Sequence, residues 1–310
     1  MTEKVLIGDI GGTHARFALV QTGQTALSAL VTYQCDHFDS LYSAIQYYLR
    51  AHGGQGVSRL CLAVPGPVNL DQIQLVNNHW SFSQEALESK LNLPLKCIND
   101  FDAQALYVKQ IPDKELFWFD AVRPSEEQGS CPRLVIGAGT GLGVSAIMPG
   151  GELVPSEGGH IAFAPYDEHQ IRILKVLQRR FKRVSIERIL SGPGLENLYW
   201  ANSILLNKER CKTAPEITEG AENGDEIARK SIDDFLDIFA GVCGDFVLSM
   251  GAWDGVYISG GIIPKIRPFL SPSRFRQRFI CKGRFTSVCS EIPIALLTSN
   301  EPGLRGCALA

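Results

Sequence analysis

Two apolar segments of the same design stand out in the pattern of hydrophobic and polar positions. Residues 5–20 and 134–147 each consist of an apolar strand, a turn rich in Gly and Thr, and a second apolar strand. Turn residues between two strand-like runs are typical of a β-hairpin. The pattern therefore predicts the same local structure at two places in the chain.

Strand-like and helix-like segments alternate after the first hairpin. Short apolar runs predict strands at 59–64, 71–76 and 95–98. Apolar positions on one face predict helices at 38–52, at 84–91 behind a capping Ser83, and at 101–108. This alternation around a hairpin indicates an α/β domain with a mixed sheet.

A second α/β unit is expected to begin at the second hairpin. Its helices are predicted at 168–183, 186–190, 194–201 and about 225–250, and its strands at 255–259 and 293–297. Residues 302–310 form a short apolar pattern that predicts a helix folding back onto the first domain. The interval 202–224 has no assigned structure or function.

The length of the chain sets the expected number of domains. Its 310 residues suggest about two domains. The polar segment 112–132 is the expected crossing between them. We predict a smaller α/β domain of residues 1–110 plus 301–310 and a larger one of residues 111–300.

Composition and charge exclude several classes of protein. A net charge of -3 and a pI near 6.1 give no support to nucleic-acid binding as the main activity. Nine cysteines without a Cys-x-x-Cys pair speak against a disulfide framework or a zinc knuckle. The basic run 172–183 is expected to be a solvated helix face rather than a membrane or anion site. No secretory signal and no apolar run near ~20 residues is found, so a cytoplasmic protein is expected.

The two glycine-rich turns are suited to binding phosphate. Glycines allow positive φ and bring backbone N–H groups close to an anion, and Thr13 and Thr140 each add a hydroxyl donor. Asp9 precedes the first turn, where its carboxylate would repel a phosphate unless a cation intervened. Asp9 is therefore interpreted as a Mg²⁺ contact, direct or through water, which points to a metal nucleotide.

Two other glycine-rich nucleotide-binding motifs match this sequence less well. Hairpin turns rich in glycine also occur without any ligand. The spacing of Gly137, Gly139, Gly141 and Gly143 does not match G-x-G-x-x-G and continues as an apolar strand, which argues against a Rossmann site. No Gly-Lys-Ser or Gly-Lys-Thr occurs, which argues against a Walker-type loop.

Further motifs connect the chain to a known family. The two turns, Asp9 and the strand 256–262 resemble the sugar kinase, heat-shock 70 and actin superfamily. The pair Asn99-Asp100, the segment 156–160 and the segment 184–194 are similar to the bacterial ATP-dependent glucokinase family, in the same order and over nearly the whole chain. The resemblance implies an α/β, two-domain actin-like ATPase (ribonuclease H-like) fold with mixed sheets and a cleft between the domains.

The resemblance also implies an activity and a set of site residues. In that family the aspartate matching Asp100 takes the proton from the 6-hydroxyl of glucose, and MgATP supplies the phosphoryl group in glycolysis. The implied sugar contacts are Asn99, Asp100, Glu157, His160 and Glu187. The implied nucleotide contacts are Asp9 with Mg²⁺, and Gly11, Gly12, Thr13, Gly139, Thr140, Gly141, Gly260 and Gly261. Closure of the domains over the sugar and a homodimer are expected as well.

Each of these residues also has a purely structural interpretation. Asp100 could cap the helix at 101–108. Glu157 and His160 could form a metal pair or a satisfied loop cluster, and Glu187 could face solvent on a helix. The pair Gly260-Gly261 could simply turn the chain after a strand.

Three other functions stay open at this stage. The first is a kinase for mannose, fructose, glucosamine or an N-acetylated hexosamine. The second is a noncatalytic sugar sensor, which is opposed by the absence of a helix-turn-helix before Val5 and by the presence of Asp100. The third is a heat-shock-type ATPase, for whose peptide-binding domain no sequence remains.

Overall fold

A computed structural model of the chain describes residues 3–75, 78–124 and 129–310. Its strands, in chain order, are β1 Lys4–Ile10, β2 His14–Gln21, β3 Ser28–Gln34, β4 Val57–Val64, β5 Gln72–Gln74, β6 Ser81–Ser83, β7 Leu95–Asn99, β8 Leu116–Trp118, β9 Arg133–Ala138, β10 Leu142–Ile147, β11 Leu153–Ser156, β12 Val256–Ser259 and β13 Ile294–Leu297. Its α-helices are α1 Leu41–His52, α2 Gln84–Leu91, α3 Asp100–Val108, α4 Glu168–Leu177, α5 Gly192–Leu205, α6 Ala214–Glu222, α7 Glu226–Met250, α8 Ile262–Ile266, α9 Pro272–Ile280, α10 Thr286–Ser290 and α11 Pro302–Cys307. Across these ranges, no helix combines the length and the apolar character needed to cross a membrane.

The chain divides into two compact units. The first contains Met1–Asp113, Gly151–Pro155 and Ser299–Ala310, and the second contains Lys114–Gly150 and Ser156–Thr298. Strand β11 begins among the residues grouped with the first unit and ends in the second.

The first unit is built on a mixed sheet in the order β3-β2-β1-β4-β7. The hairpin β1–β2 is antiparallel, whereas β1, β4 and β7 run parallel. Successive residues of β1 point to opposite faces. Leu6 joins the core formed with α1 and α2, while Val5 and Ile7 join the core formed with α3 and α11. The sheet is therefore buried on both faces.

The second unit repeats this arrangement. Its strands β10, β9, β12, β13 and β8 are neighbours in that order, and β9, β12 and β13 are parallel. The hairpin β9–β10 takes the place that β1–β2 has in the first unit. The 25-residue helix α7 carries much of the apolar core. Both predicted hairpins and the predicted mixed α/β sheets are thus confirmed.

Most other predicted elements are present with shifted ends. Helix α1 begins at Leu41 rather than at residue 38, because Ser40 and Ser43 form a capping box. Ser83 caps α2 as predicted. The strand predicted at 71–76 is Gln72–Gln74, and Val76 lies outside the described residues. The predicted crossing 112–132 contains β8, and its residues 125–128 also lie outside the described ranges.

The largest differences lie around the basic run. Helix α4 ends at Leu177 rather than at residue 183. A continued helix would stack several like charges three and four residues apart, which is unfavourable. Arg180 instead lies over the ring of Trp200, with its guanidinium carbon 3.3 Å from the ring centroid. The helix predicted at 186–190 is a single 3₁₀ turn, Ile186–Arg188, and the unassigned interval 202–224 contains α6.

Candidate active site

Several predicted site residues of the first unit meet at one edge of its sheet. Asp9 pairs in register with Ala63 of β4, and Asn99 at the end of β7 pairs with Val64. Parallel strands about 4.8 Å apart bring their carboxyl ends to the same edge. The ends of β1 and β7 are therefore about 10 Å apart across β4. This is the edge of an open α/β sheet where ligands commonly bind.

Asn99 and Asp100 form the junction between β7 and α3. Asn99 is the N-cap, since its Oδ1 accepts hydrogen bonds from the backbone N–H groups of Phe101 at 2.8 Å and Asp102 at 3.3 Å. Its Nδ2 donates to the carbonyl of Gly66 at 3.2 Å. Asp100 is the first residue of the helix, so its interpretation as the N-cap was wrong. Because Asn99 caps the helix, capping does not account for the presence of a carboxylate at Asp100.

The carboxyl group of Asp100 has an unusual protonation equilibrium. Burial raises its pKa, and the negative charge of Asp9 raises it further, while a hydrogen bond from the N–H of Phe101 opposes the change. The result is a pKa of about 7, against 3.8 for an ordinary aspartate. A carboxylate whose pKa lies near neutral pH is suited to accept a proton during a reaction.

Asp9 faces Arg16 across the hairpin β1–β2. Its Oδ2 lies 3.4 Å from Nη1 of Arg16, and Nε of Arg16 lies 3.3 Å from Oε2 of Glu301. Burial raises the pKa of Asp9, although the Arg16 charge lowers it in part. Gly303 of α11 packs beside the carboxylate. Arg16 and Glu301 are site neighbours that the sequence motifs did not identify, because Glu301 is brought to Asp9 only by the folding of the C-terminal helix.

The first glycine-rich turn, Gly11–Thr13, lies at the same edge. An open pocket of about 450 Å³ is lined by Gly12, Thr13, Cys35, Asp36, Asn78 and His79. The turn therefore borders a space large enough for a ligand.

The second glycine-rich turn, Gly139–Gly141, lies at the matching edge of the second sheet. The N–H of Gly139 donates to the carbonyl of Gly141 at 2.8 Å, and the N–H of Gly192 donates to the carbonyl of Gly139 at 2.8 Å. Gly192 is the first residue of α5, which Ser191 caps. The N-terminus of a 14-residue helix thus adjoins this turn, a position that favours anions. The motif around Ser191 was recognised in the sequence, but its contact with the turn was not.

Positive φ does not explain the glycines of these turns. Gly11, Gly139 and Gly141 do not have positive φ, so the prediction of a left-handed backbone was wrong at these positions. Gly139 instead borders open space, and a Cβ on Gly141 would lie 2.5 Å from Oε2 of Glu187. The missing side chains leave the backbone of the turns accessible and make room for a carboxylate.

The pair Gly260-Gly261 follows β12 at this edge, where Ser259 is in register with Gly137. Gly260 has a φ of +82°, and a Cβ there would lie 2.8 Å from the backbone nitrogen and carbonyl carbon of Ala138. Gly261 does not have positive φ and has no neighbour in the way of a Cβ. The turn after β12 therefore requires glycine at position 260, whereas Gly261 leaves open space at the edge of the second sheet.

Replacing these two glycines by alanine should separate their roles. We expect Gly260→Ala to lower the free energy of unfolding by ~2–4 kcal/mol, because it combines a left-handed φ with a backbone clash. Gly261→Ala should change stability by less than ~1 kcal/mol and, under the nucleotide role that the family resemblance implies, raise the KM for ATP. Thermal unfolding and initial rates measure both effects, and equal stability of the two variants would contradict the interpretation.

Glu187 has a structural contact that the sequence did not predict. Its Oε2 accepts a hydrogen bond from the N–H of Leu142 at 3.0 Å, at the start of β10. The carbonyl of Glu187 accepts from the hydroxyl of Ser191 at 2.8 Å. Glu187 thus connects the second glycine-rich turn to the start of α5, and its interpretation as a solvent-facing helix residue was wrong.

Glu157 precedes the 3₁₀ turn Gly158–His160 of the second unit, and His160 ends it. Oε2 of Glu157 and Nε2 of His160 are 3.9 Å apart, and their side chains are 56% and 61% exposed. Both polar groups are therefore accessible to a ligand. In the part of the chain that the structure describes, no group of three or more His, Cys, Asp or Glu side chains is arranged to hold a metal, so these two residues do not belong to such a cluster.

Comparison with known proteins gives one consistent result. The glucokinase family model matches residues 6–310. The chain is 42% identical to a glucokinase of Chromohalobacter salexigens, over 100% of this chain and 98% of that protein. It is similar in structure to a glucokinase from an Antarctic psychrotroph, with a TM-score of 0.89, 31% identity and coverage of 100% and 98%. It also shares its fold with a ROK family glucokinase from Streptomyces griseus in complex with glucose and AMPPNP, with a TM-score of 0.66, 18% identity and coverage of 98% of both chains. The α/β architecture is therefore that of the actin-like ATPase fold.

Proposed function

Because the chain belongs to the glucokinase family, we propose that it transfers the γ-phosphoryl group of ATP to the 6-hydroxyl of glucose, giving glucose 6-phosphate and ADP. The observation that carries the proposal is Asp100, at the ligand-binding edge of the first sheet, with its pKa raised to about 7. Phosphoryl transfer requires positioning, neutralisation of charge and a base for the attacking hydroxyl. Asp100 is the base in this proposal.

The nucleotide is proposed to contact both glycine-rich turns. Gly11, Gly12 and Thr13 would donate N–H and hydroxyl groups to one end of the triphosphate, and Gly139, Thr140 and Gly141 to the other. The N-terminus of α5 beside the second turn supports an anion there. Gly260 and Gly261 are proposed to border the adenosine, and the open space at Gly261 fits that role.

Asp9 is proposed to hold Mg²⁺, directly or through water. The carboxylate of Asp9 is an oxygen donor of the kind that Mg²⁺ binds, and the ion would take its other ligands from water and phosphate oxygens. Arg16 beside the carboxylate would have to share it with the ion. When bound, Mg²⁺ neutralises part of the phosphate charge.

The sugar is proposed to contact Asn99, Asp100, Glu157, His160 and Glu187. Hydroxyl groups need both donors and acceptors, which amide, carboxylate and imidazole groups supply. The amide of Asn99 and the carboxylate of Glu187 already hold backbone groups in place. A sugar would therefore meet two polar groups with fixed orientation and two accessible ones, Glu157 and His160.

The remaining predictions form part of the same proposal. The domains are proposed as residues 1–110 plus 301–310 and residues 111–300, and their closure over glucose is proposed to exclude water. We also propose a cytoplasmic protein and a homodimer with two-fold symmetry.

The deciding experiment is the initial rate of ADP formation with MgATP and a set of sugars. We expect glucose to give the highest kcat/KM, since a polar group left unpaired by another sugar costs ~1–3 kcal/mol, or about 5- to 150-fold. Mannose, fructose, glucosamine and N-acetylglucosamine are the comparisons. Turnover of only another sugar would replace glucose in the proposal. Binding of glucose without turnover would overturn the kinase and favour a sensor.

A further inference from the structure

The backbone carbonyls of the Gly11–Thr13 turn are held by donors from outside the hairpin. The carbonyl of Gly11 accepts a hydrogen bond from Nδ2 of Asn78 at 2.9 Å. The carbonyl of Thr13 accepts one from the N–H of Cys35 at 2.8 Å. Within the hairpin, the N–H of Gly11 donates to the carbonyl of His14 at 2.9 Å. The orientation of the turn therefore depends on residues distant in sequence.

The hydrogen bond from Asn78 has a consequence for the next peptide group. In a planar trans peptide, the C=O of Gly11 and the N–H of Gly12 point in opposite directions. A donor that holds the carbonyl on one side therefore directs the N–H of Gly12 to the other side. Glycine peptides rotate at little cost, so this orientation needs an external restraint. A flipped peptide would present a carbonyl oxygen where a phosphate requires a donor.

Asn78 is itself fixed in the orientation that this role needs. Its Oδ1 accepts a hydrogen bond from the N–H of Trp80 at 2.9 Å, which leaves Nδ2 as the group that faces Gly11. Trp80 is buried, and its indole N–H donates to the carbonyl of Phe38 at 3.0 Å. Asn78 also lines the pocket beside the turn. Hydrogen bonds to Oδ1 and Nδ2 therefore fix the side-chain amide of Asn78 before a ligand binds.

We propose that Asn78 is a positioning residue for the phosphate turn: it holds the Gly11 carbonyl so that the N–H of Gly12 faces the nucleotide phosphate. This inference rests on the proposed function, in which Gly11–Thr13 binds ATP. It adds a residue that none of the glycine-rich motifs contains. Its effect should appear in nucleotide affinity and not in sugar affinity.

The test compares Asn78→Ala with the matched control Gln84→Ala. Gln84 lies in the same unit and also donates its amide to backbone carbonyls, those of Val68 at 3.1 Å and Leu70 at 2.9 Å, but it is not part of the turn. We expect Asn78→Ala to raise the Kd for a nonhydrolysable ATP analogue and the KM for MgATP about 10-fold. The KM for glucose should stay within about 2-fold, and Gln84→Ala should change neither nucleotide constant by more than that.

A second variant keeps the test decisive. Asn78→Asp preserves the shape of the side chain and the acceptor for Trp80 but replaces the donor that holds Gly11. It should weaken nucleotide binding at least as much as Asn78→Ala, with a folded far-UV spectrum. A shift in the Asp variant alone would indicate repulsion by the new charge and would overturn the proposal.

The measurements also distinguish this inference from the proposed function. The Kd of the analogue reports on the turn even if the wild-type protein phosphorylates no hexose, in which case only the proposed function fails. Normal turnover with an unchanged Kd in Asn78→Ala overturns the positioning role alone. Equal losses for glucose and nucleotide would show general damage and would also overturn it.

Discussion

Replacing Asp100 by asparagine should abolish most of the activity while leaving the protein folded. We expect kcat to fall by ~10²–10⁴-fold, the range associated with loss of a general base. Asparagine keeps the size of the side chain and an oxygen that can accept from the N–H of Phe101, as Asp100 does at 3.1 Å. Glucose affinity should therefore change by less than about 5-fold. Initial rates and calorimetric binding of glucose measure the two quantities separately.

The same variant should be more stable than the wild-type protein above neutral pH. The folded-state pKa of Asp100, about 7, is higher than its ordinary value of 3.8. The folded state therefore binds the proton more tightly between these values, and the stability contributed by the group falls as pH rises from about 4 to about 7. Removing the carboxylate should raise the free energy of unfolding at pH 8 by roughly 2–4 kcal/mol, since one pKa unit corresponds to about 1.4 kcal/mol. A gain in stability with a loss of rate identifies a group kept for function.

The control for Asp100 is Glu85→Gln, which also removes an acidic side chain from the first turn of a helix of the first unit. Its kcat should remain within about 2-fold of wild type. In the wild-type protein, kcat/KM should fall below pH about 7 as Asp100 becomes protonated, because only its ionised form accepts a proton. An Asn variant that keeps more than a third of the wild-type kcat would rule out Asp100 as the base.

The sequence predicted best those parts of the fold that depend on local patterns. The two hairpins and α7 combine strong periodicity with clear end signals, and Ser83 caps α2 as expected. Strand β3 was missed because all its residues are exposed or half-buried, which leaves it a weak apolar pattern. The end of α4 was misplaced because residues at helical spacing do not show where repulsion between neighbouring like charges becomes large enough to end the helix.

The candidate site was predicted as a set of motifs, and its contacts were not. Asn99 as a helix cap and Glu187 as an acceptor for the N–H of Leu142 each depend on groups that only the fold brings together. The same holds for Glu301 beside Arg16. Motif spacing identifies residue types suited to a chemistry, whereas the partner that fixes each side chain comes from another part of the chain. Structural and functional roles can therefore coincide in one residue, as the proposal assigns to Asn99.

Gly306→Ala should be among the most destabilising single substitutions in the first unit. Gly306 lies in α11, and a Cβ there would fall on the carbonyl group of Ala103 in α3, well inside van der Waals contact. Both helices are packed on the sheet, with Leu304 and Ala103 fully buried, so neither can move without opening the core. We expect the free energy of unfolding to fall by ~4 kcal/mol or more, measured by denaturant titration.

The matched control is Gly241→Ala in α7, where a new Cβ meets no atom within 4 Å. It should stabilise the protein by ~0.5–1 kcal/mol, because alanine is the better helix former. Opposite signs for the same chemical change would show that the contact between α11 and α3 needs a residue without a side chain. Because Asp100 begins α3 and Gly303 of α11 packs beside Asp9, displacement of α11 should also lower kcat in any Gly306→Ala protein that folds. Equal stability of Gly306→Ala and Gly241→Ala would contradict the prediction. It would mean that α11 does not fix the positions of Asp9 and Asp100 at the edge of the first sheet.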